Sequence, residues 1–234
     1  VKRFYKDVTV AEVKGGWQVQ LDGRGIKTQG GQQQVLPTRI LASAMSSEWS
    51  KQGDEIDPGK FLFRDHADFT IDVVAADREA AITKLLAFAE TDTLCYRADP
   101  DEALNARQRE VWDPLLDHLE GRLGVRFQRV SGVMHRPQPK ETLDRLREHL
   151  ATLDDFTLAG MTSMASLAAS LAVALLANDD AINDPMLLWR DANLEEEWQA
   201  EQWGREEEAE ATRARKGEEF SAAQVFVTLA QARS

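Results

Sequence analysis

Glu90-Thr91-Asp92-Thr93-Leu94-Cys95-Tyr96-Arg97-Ala98-Asp99-Pro100 opens with two carboxylates, the only cysteine, one of two tyrosines and an arginine within eight residues. It closes an apolar helical pattern and stops at a proline. The residues before it read largely as strands and short helices, and those after it mostly as helix. That asymmetry predicts an α+β fold, with a small β-rich domain over residues 1–76 and a larger helical domain over 77–234. The stretch then sits at the joint between the two, and Glu90, Asp92, Tyr96 and Arg97 are its candidate functional side chains.

Toward the N-terminus, Asp77 precedes Ala81, Ile82, Leu85, Leu86, Phe88 and Ala89 at helical spacing, with Leu94 as an extension. Phe61 to Val74 is compatible with a strand followed by a short helix. Thr38 suits the N-cap of a helix carrying Ile40, Leu41, Ala44, Met45 and Trp49. Trp17 to Leu21 alternates apolar and polar residues, as a half-buried strand does, and Val8 to Val13 nearly so. Asp22-Gly23 supplies the hairpin turn, with Ile26 to Thr28 returning and Gln34 to Leu36 as a further short strand.

Toward the C-terminus, Asp101 to Trp112 reads as helix. Asp113-Pro114 reads as an N-cap with proline at the first position of a new helix, which Gly124 ends. Val125 to Val130 alternates like a lone strand, and Pro137 and Pro139 precede another helix. Phe156 to Ala177 holds no charged residue. Its modest hydrophobicity and lack of flanking aromatic or basic anchors favour a helix buried all round over a membrane span. From Asp191 to Glu219 eleven acids face four bases. A solvated acidic helix explains that run, yet Trp198 and Trp203 stand among the carboxylates, as aromatic anchors do in protein-binding surfaces. Phe220 to Ala232 reads as a final helix.

The net charge of -12 argues against a nucleic-acid partner, which needs cationic groups to displace counterions. It likewise disfavours anionic membrane surfaces, and no membrane insertion is expected. A single cysteine allows no internal disulfide and suits a reducing compartment. Cys95 reads as a small buried hydrophobe, because no histidine neighbours it to lower its pKa. Glu90 and Asp92 equally suit a solvated helix end. His66, His118, His135 and His149 lack metal-ligand spacing, and no phosphate-binding glycine loop or nucleophile elbow occurs. No catalytic residue, metal or cofactor is assigned. The enzyme alternative is a carboxylate and thiol site at Glu90–Arg97.

Several motifs in order carry a resemblance. They are Lys2-Arg3-Phe4-Tyr5-Lys6, Leu21-Asp22-Gly23-Arg24 with Lys27-Thr28, Leu36-Pro37-Thr38, and Glu48-Trp49 with Gln52. Ile71-Asp72, Glu90 to Ala98, Trp112-Asp113-Pro114-Leu115-Leu116, Gln199, Trp203-Gly204 and Glu208-Ala209 continue the series. Together they resemble the ATP synthase assembly chaperones that bind the alpha subunit of the soluble catalytic head. Phe61-Leu62-Phe63-Arg64 and Gly25 depart from the family pattern. The resemblance implies a chaperone without nucleotide turnover that holds unassembled alpha subunit until beta subunit pairs with it. It also implies a functionally sensitive acidic C-terminal element, carried here to Glu196, Glu197, Glu207 and Glu208, with Trp198 and Trp203 as anchors. A monomer in a bacterial cytoplasm is expected, or in a mitochondrial matrix if the source is eukaryotic. A scaffold binding some other basic protein is the remaining alternative.

Overall fold

Strand β1 (Val8–Val13) pairs antiparallel with β2 (Gly16–Leu21), which pairs with the two-residue β3 (Arg24–Gly25) across the Asp22-Gly23 turn. Both turn residues have positive φ, 49° and 76°, as a two-residue hairpin of this hand requires. The Asp22 carboxylate fastens the turn to the incoming chain by accepting the backbone N–H groups of Lys6 and Asp7. These features come from a computed structural model that describes residues 1–132, 134–182 and 184–232.

The helices that follow are α1 (Arg39–Ser50), α2 (Leu62–Phe69) with a π-helical turn at Thr70–Val74, and α3 (Arg78–Glu90). Then come β4 (Tyr96–Arg97), α4 (Ala103–Leu123), β5 (Val130–Ser131), α5 (Lys140–Thr152), α6 (Asp155–Ala168) and α7 (Leu171–Ala177). The acidic region is built from α8 (Pro185–Ala192), α9 (Leu194–Trp203) and α10 (Glu207–Gln231). The fold is α+β. Two compact units result: Val1–Arg78 with Asp154–Gly160 and Val225–Ser234, and Glu79–Leu153 with Met161–Gln224.

In the first unit the sheet, α1 and α2 enclose Val19, Leu36, Leu41, Met45 and Phe61, and Phe226 and Ala230 of α10 belong to the same core. Thr38 caps α1 by accepting from Leu41 N–H, and its hydroxyl donates to the carbonyl of Leu229. Glu48 caps α2, accepting from the N–H groups of Phe63 and Arg64. Phe61 to Val74 is therefore helical, and no strand forms there. The π turn brings Asp72 to the loop after β3, where it accepts from Thr28 Oγ1 at 2.6 Å and Gly30 N–H at 2.7 Å. That explains the Ile71-Asp72 motif as a fastening for the loop.

In the second unit α4 runs unbroken through Pro114. Asp113 is no helix cap, because its carboxylate is taken by Arg97 and Arg129. Proline 114 is exposed and gives up only one intrahelical donor. The lone strand expected at Val125–Val130 shrinks to Val130–Ser131, which pairs parallel with Tyr96–Arg97. The apolar run 156–177 is two helices, not one. Ala169 takes φ 48°, and Ser170 caps α7 by accepting from Val173 N–H. All of α7 is buried and packs against α4 and α8. No described helix is long and apolar enough to cross a membrane.

Candidate partner-binding site

The opening stretch lies wholly in the second unit and acts there as a framework. Asp92 is fully buried and accepts from Ser170 Oγ at 2.6 Å, Ala172 N–H at 2.8 Å and Leu94 N–H at 3.0 Å. Burial pushes its carboxyl up to about 6, against the pull of those hydrogen bonds. Glu90 accepts the N–H of Gln138, so it is not simply a solvated helix end. The Tyr96 hydroxyl meets His135 Nδ1 at 2.7 Å. Cys95 is fully buried, and burial pushes its thiol up, away from the thiolate form a nucleophile needs. The stretch thus lacks the accessible, activated sulfur that the enzyme alternative requires.

Arg97 shows what the framework holds. Its guanidinium donates to Asp113 Oδ1 at 2.8 Å and the Gln108 carbonyl at 3.0 Å, and lies 4.9 Å from the centre of the Trp112 ring. Gln108 accepts from Ala98 N–H and donates to Glu195 at the start of α9. Trp112 Nε1 donates to the carbonyl of Asp191 at the end of α8 at 2.6 Å. Arg97 and Ala98, through Gln108, and Trp112 directly therefore hold the start of α9 and the end of α8.

Gly204, at φ 98°, turns the chain between α9 and α10. The turn sets Glu196 and Glu197 against Arg213 at 3.3 and 3.0 Å, with Glu210 at 2.9 Å from the same guanidinium. Arg205 pairs with Glu197 and, at 2.9 Å, with Glu210. Arg205 is exposed, and its hydrogen bonds to Glu197 and Glu210 raise its pKa. Glu197 is thus engaged within the chain. Glu207 and Glu208 are exposed and form no ion pair among the described residues, and the same holds for Glu201 and Glu206. Trp198 is half-buried, whereas Trp203 is 88% exposed at the end of α9. Beside the ion-pair network a cavity of about 270 Å³ is lined by Met186 and Trp189 of α8 together with Glu197, Glu210 and Arg213.

The six expected partner-binding residues therefore fall on one helix–turn–helix segment in two roles. Glu196 and Glu197 join an internal network and Trp198 is half-buried, while Trp203, Glu207 and Glu208 are presented to solvent. Arg205 and Arg213 belong to the site and escaped sequence reasoning, and Glu210 was seen only as one acid of the run; the only hint was the arginines inside that run. Charge is unevenly shared: the first unit has 13 acids against 12 bases, the second 27 against 16.

The ATP12 chaperone protein family matches residues 2–120. A crystal structure of Atp12 from Paracoccus denitrificans superposes with TM-score 0.92 at 35% identity, covering 98% of each chain. The chain belongs to the ATP12 chaperone family. It is a chaperone of ATP synthase assembly, as the resemblance implied. The Atu1473 structure from Agrobacterium tumefaciens matches at TM-score 0.92 and 39% identity, over 97% of this chain and 85% of that one. Mitochondrial protein atp12 of Schizosaccharomyces pombe is 26% identical over 220 residues, 89% of this chain and 75% of its own. An aspartate-to-lysine mutant of the Paracoccus protein has also been solved and superposes equally well.

Proposed function

We propose that the chain binds the unassembled alpha subunit of the ATP synthase catalytic head and keeps it from aggregating until beta subunit pairs with it. It does so as a binding protein, without catalysis. The observation that carries the reading is Trp203, 88% exposed in a run of carboxylates that form no ion pair among the described residues. A free alpha subunit exposes apolar surface meant for its neighbour, and such surface aggregates unless covered. A large aromatic anchor contributes residence time, and the ring of free carboxylates speeds encounter with basic groups on the client. Glu201, Glu206, Glu207 and Glu208 fill that second role. Such an interface is tight enough to protect and still reversible when beta subunit competes. The chaperone works wherever the head is assembled, in a bacterial cytoplasm or a mitochondrial matrix.

The test is light scattering of alpha subunit diluted from denaturant. Wild-type chain at equimolar ratio suppresses the scattering, and a Glu207→Gln/Glu208→Gln variant suppresses it less. Scattering unaffected by the wild-type chain contradicts the proposal.

A further inference from the structure

The first unit carries a second surface, made of other residues than the acidic helices. A cavity of about 550 Å³ opens there, in the size range of ligand pockets. Tyr5 and Trp49 meet edge-on in its wall at 5.5 Å between ring centres. Phe4 stands edge-on to Tyr5 at 5.3 Å, yet is 68% exposed. Ile26 adds aliphatic surface. The indole N–H of Trp49 is buried and has no hydrogen-bond partner among the described residues.

The charged groups of this groove are Asp22, Arg24 and Lys27. Asp22 accepts the N–H groups of Lys6 and Asp7, which hold its carboxyl below the usual range and keep it ionised, so it offsets one of the two cations. Arg24 and Lys27 are exposed and form no ion pair among the described residues. The groove is thus cationic at its rim, in a chain of net charge -12. Residues 1–27 as a whole hold six bases against three acids. Charges farther than about 8 Å from the groove are screened at physiological salt, so the rim decides which ligand is taken.

One wall has a further property. Arg24–Gly25 is β3, an outer strand of the sheet, and no described residue pairs with its free side. An unpaired strand edge beside apolar pockets receives an extended peptide.

We propose that this groove binds an extended acidic peptide segment of another protein. Apolar side chains of the segment pack on Phe4, Ile26 and Trp49. Its carboxylates pair with Arg24 and Lys27, and its backbone adds to the edge of β3. The surface is opposite in charge to the acidic helices, so a single partner reaches both only if it offers a basic patch and an acidic strand.

The experiment measures binding of a labelled, end-blocked peptide of roughly eight residues, with Leu and Glu alternating, to the whole chain by fluorescence anisotropy. The controls are the same peptide with Lys for Glu, and N-acetyl-phenylalanine. The Glu peptide is expected to bind about tenfold tighter than the Lys peptide. An Arg24→Glu/Lys27→Glu variant reverses that preference, and Phe4→Ala weakens both peptides. These side chains are exposed, so circular dichroism is expected to match wild type. Equal binding of the two peptides, or an unchanged preference in the double variant, overturns the charge assignment. N-acetyl-phenylalanine binding as tightly as the Glu peptide overturns strand addition, as does unaltered hydrogen exchange at Arg24 and Gly25 in the complex. No binding of either peptide at millimolar concentration overturns the site altogether.

Discussion

Trp203→Ala separates binding from folding. The indole is 88% exposed, which leaves roughly 200 Å² for a partner to cover. At about 25 cal/mol per Å², full burial contributes up to about 5 kcal/mol. Immobilising the side chain and desolvating its neighbours offset part of this, and interface tryptophans typically give about 2–4 kcal/mol on truncation. A loss of about 2–3 kcal/mol is expected, or roughly 30- to 150-fold in Kd for alpha subunit. Unfolding stability is expected to change by less than about 0.5 kcal/mol, because little packing is lost. Trp198 is half-buried, so its alanine variant is expected to lose stability where Trp203→Ala does not. Calorimetric titration with alpha subunit, alongside urea melts of each variant, measures both quantities. A Kd for Trp203→Ala within about twofold of wild type refutes the anchor role, since that ratio is below 0.5 kcal/mol.

Arg97→Ala removes a charge whose side chain is 4% exposed, together with its contacts to Asp113 and Trp112. Asp113 retains Arg129 and some solvent, so the expected loss in a urea melt is about 3 kcal/mol, the low end for a broken buried pair. Asp92 gives a pH signature. Its folded pKa of about 6 exceeds its ordinary 3.8, so its favourable contribution is complete below about pH 4 and lost as pH rises through 6. The stability difference between wild type and Asp92→Asn is expected to fall by about 3 kcal/mol between pH 3.5 and 7, and a flat difference contradicts this. His66 moves the other way in the first unit: burial lowers its pKa to about 4, so acidification from pH 6.5 destabilises that unit, and His66→Phe is expected to blunt the loss. Glu207→Gln/Glu208→Gln is expected to slow association with alpha subunit without changing the melt, whereas Glu197→Gln also lowers stability by breaking contacts with Arg205 and Arg213.

Local signals were legible in the sequence where one residue type answers one backbone need. Thr38 caps its helix, Asp22-Gly23 turns its hairpin, and Cys95 packs as a small hydrophobe. Long-range demands were not. Asp113-Pro114 has the local form of a helix start, but Arg97 and Arg129 claim the carboxylate and α4 passes through. Phe61 to Val74 passes for a strand followed by a short helix, because a π turn at Thr70–Val74 shifts the helical period partway along. The break at Ala169 is written only in Ser170, whose hydroxyl serves both α7 and Asp92.

The same limit applies to the candidate site. Its carboxylates were visible as an acidic run, but not which of them are free. Glu197 meets arginines eight and sixteen residues away, and only the turn at Gly204 brings those together. Nor does any spacing show that Phe226 and Ala230, at the far end of α10, belong to the core of the N-terminal sheet.

The most direct test of the central claim is co-purification of the chain with separately expressed alpha and beta subunits, at low and at high salt. Selective retention of alpha subunit is expected, weakening as salt screens the free carboxylates of α9 and α10. Retention of neither subunit at any salt, or equal retention of both, contradicts it.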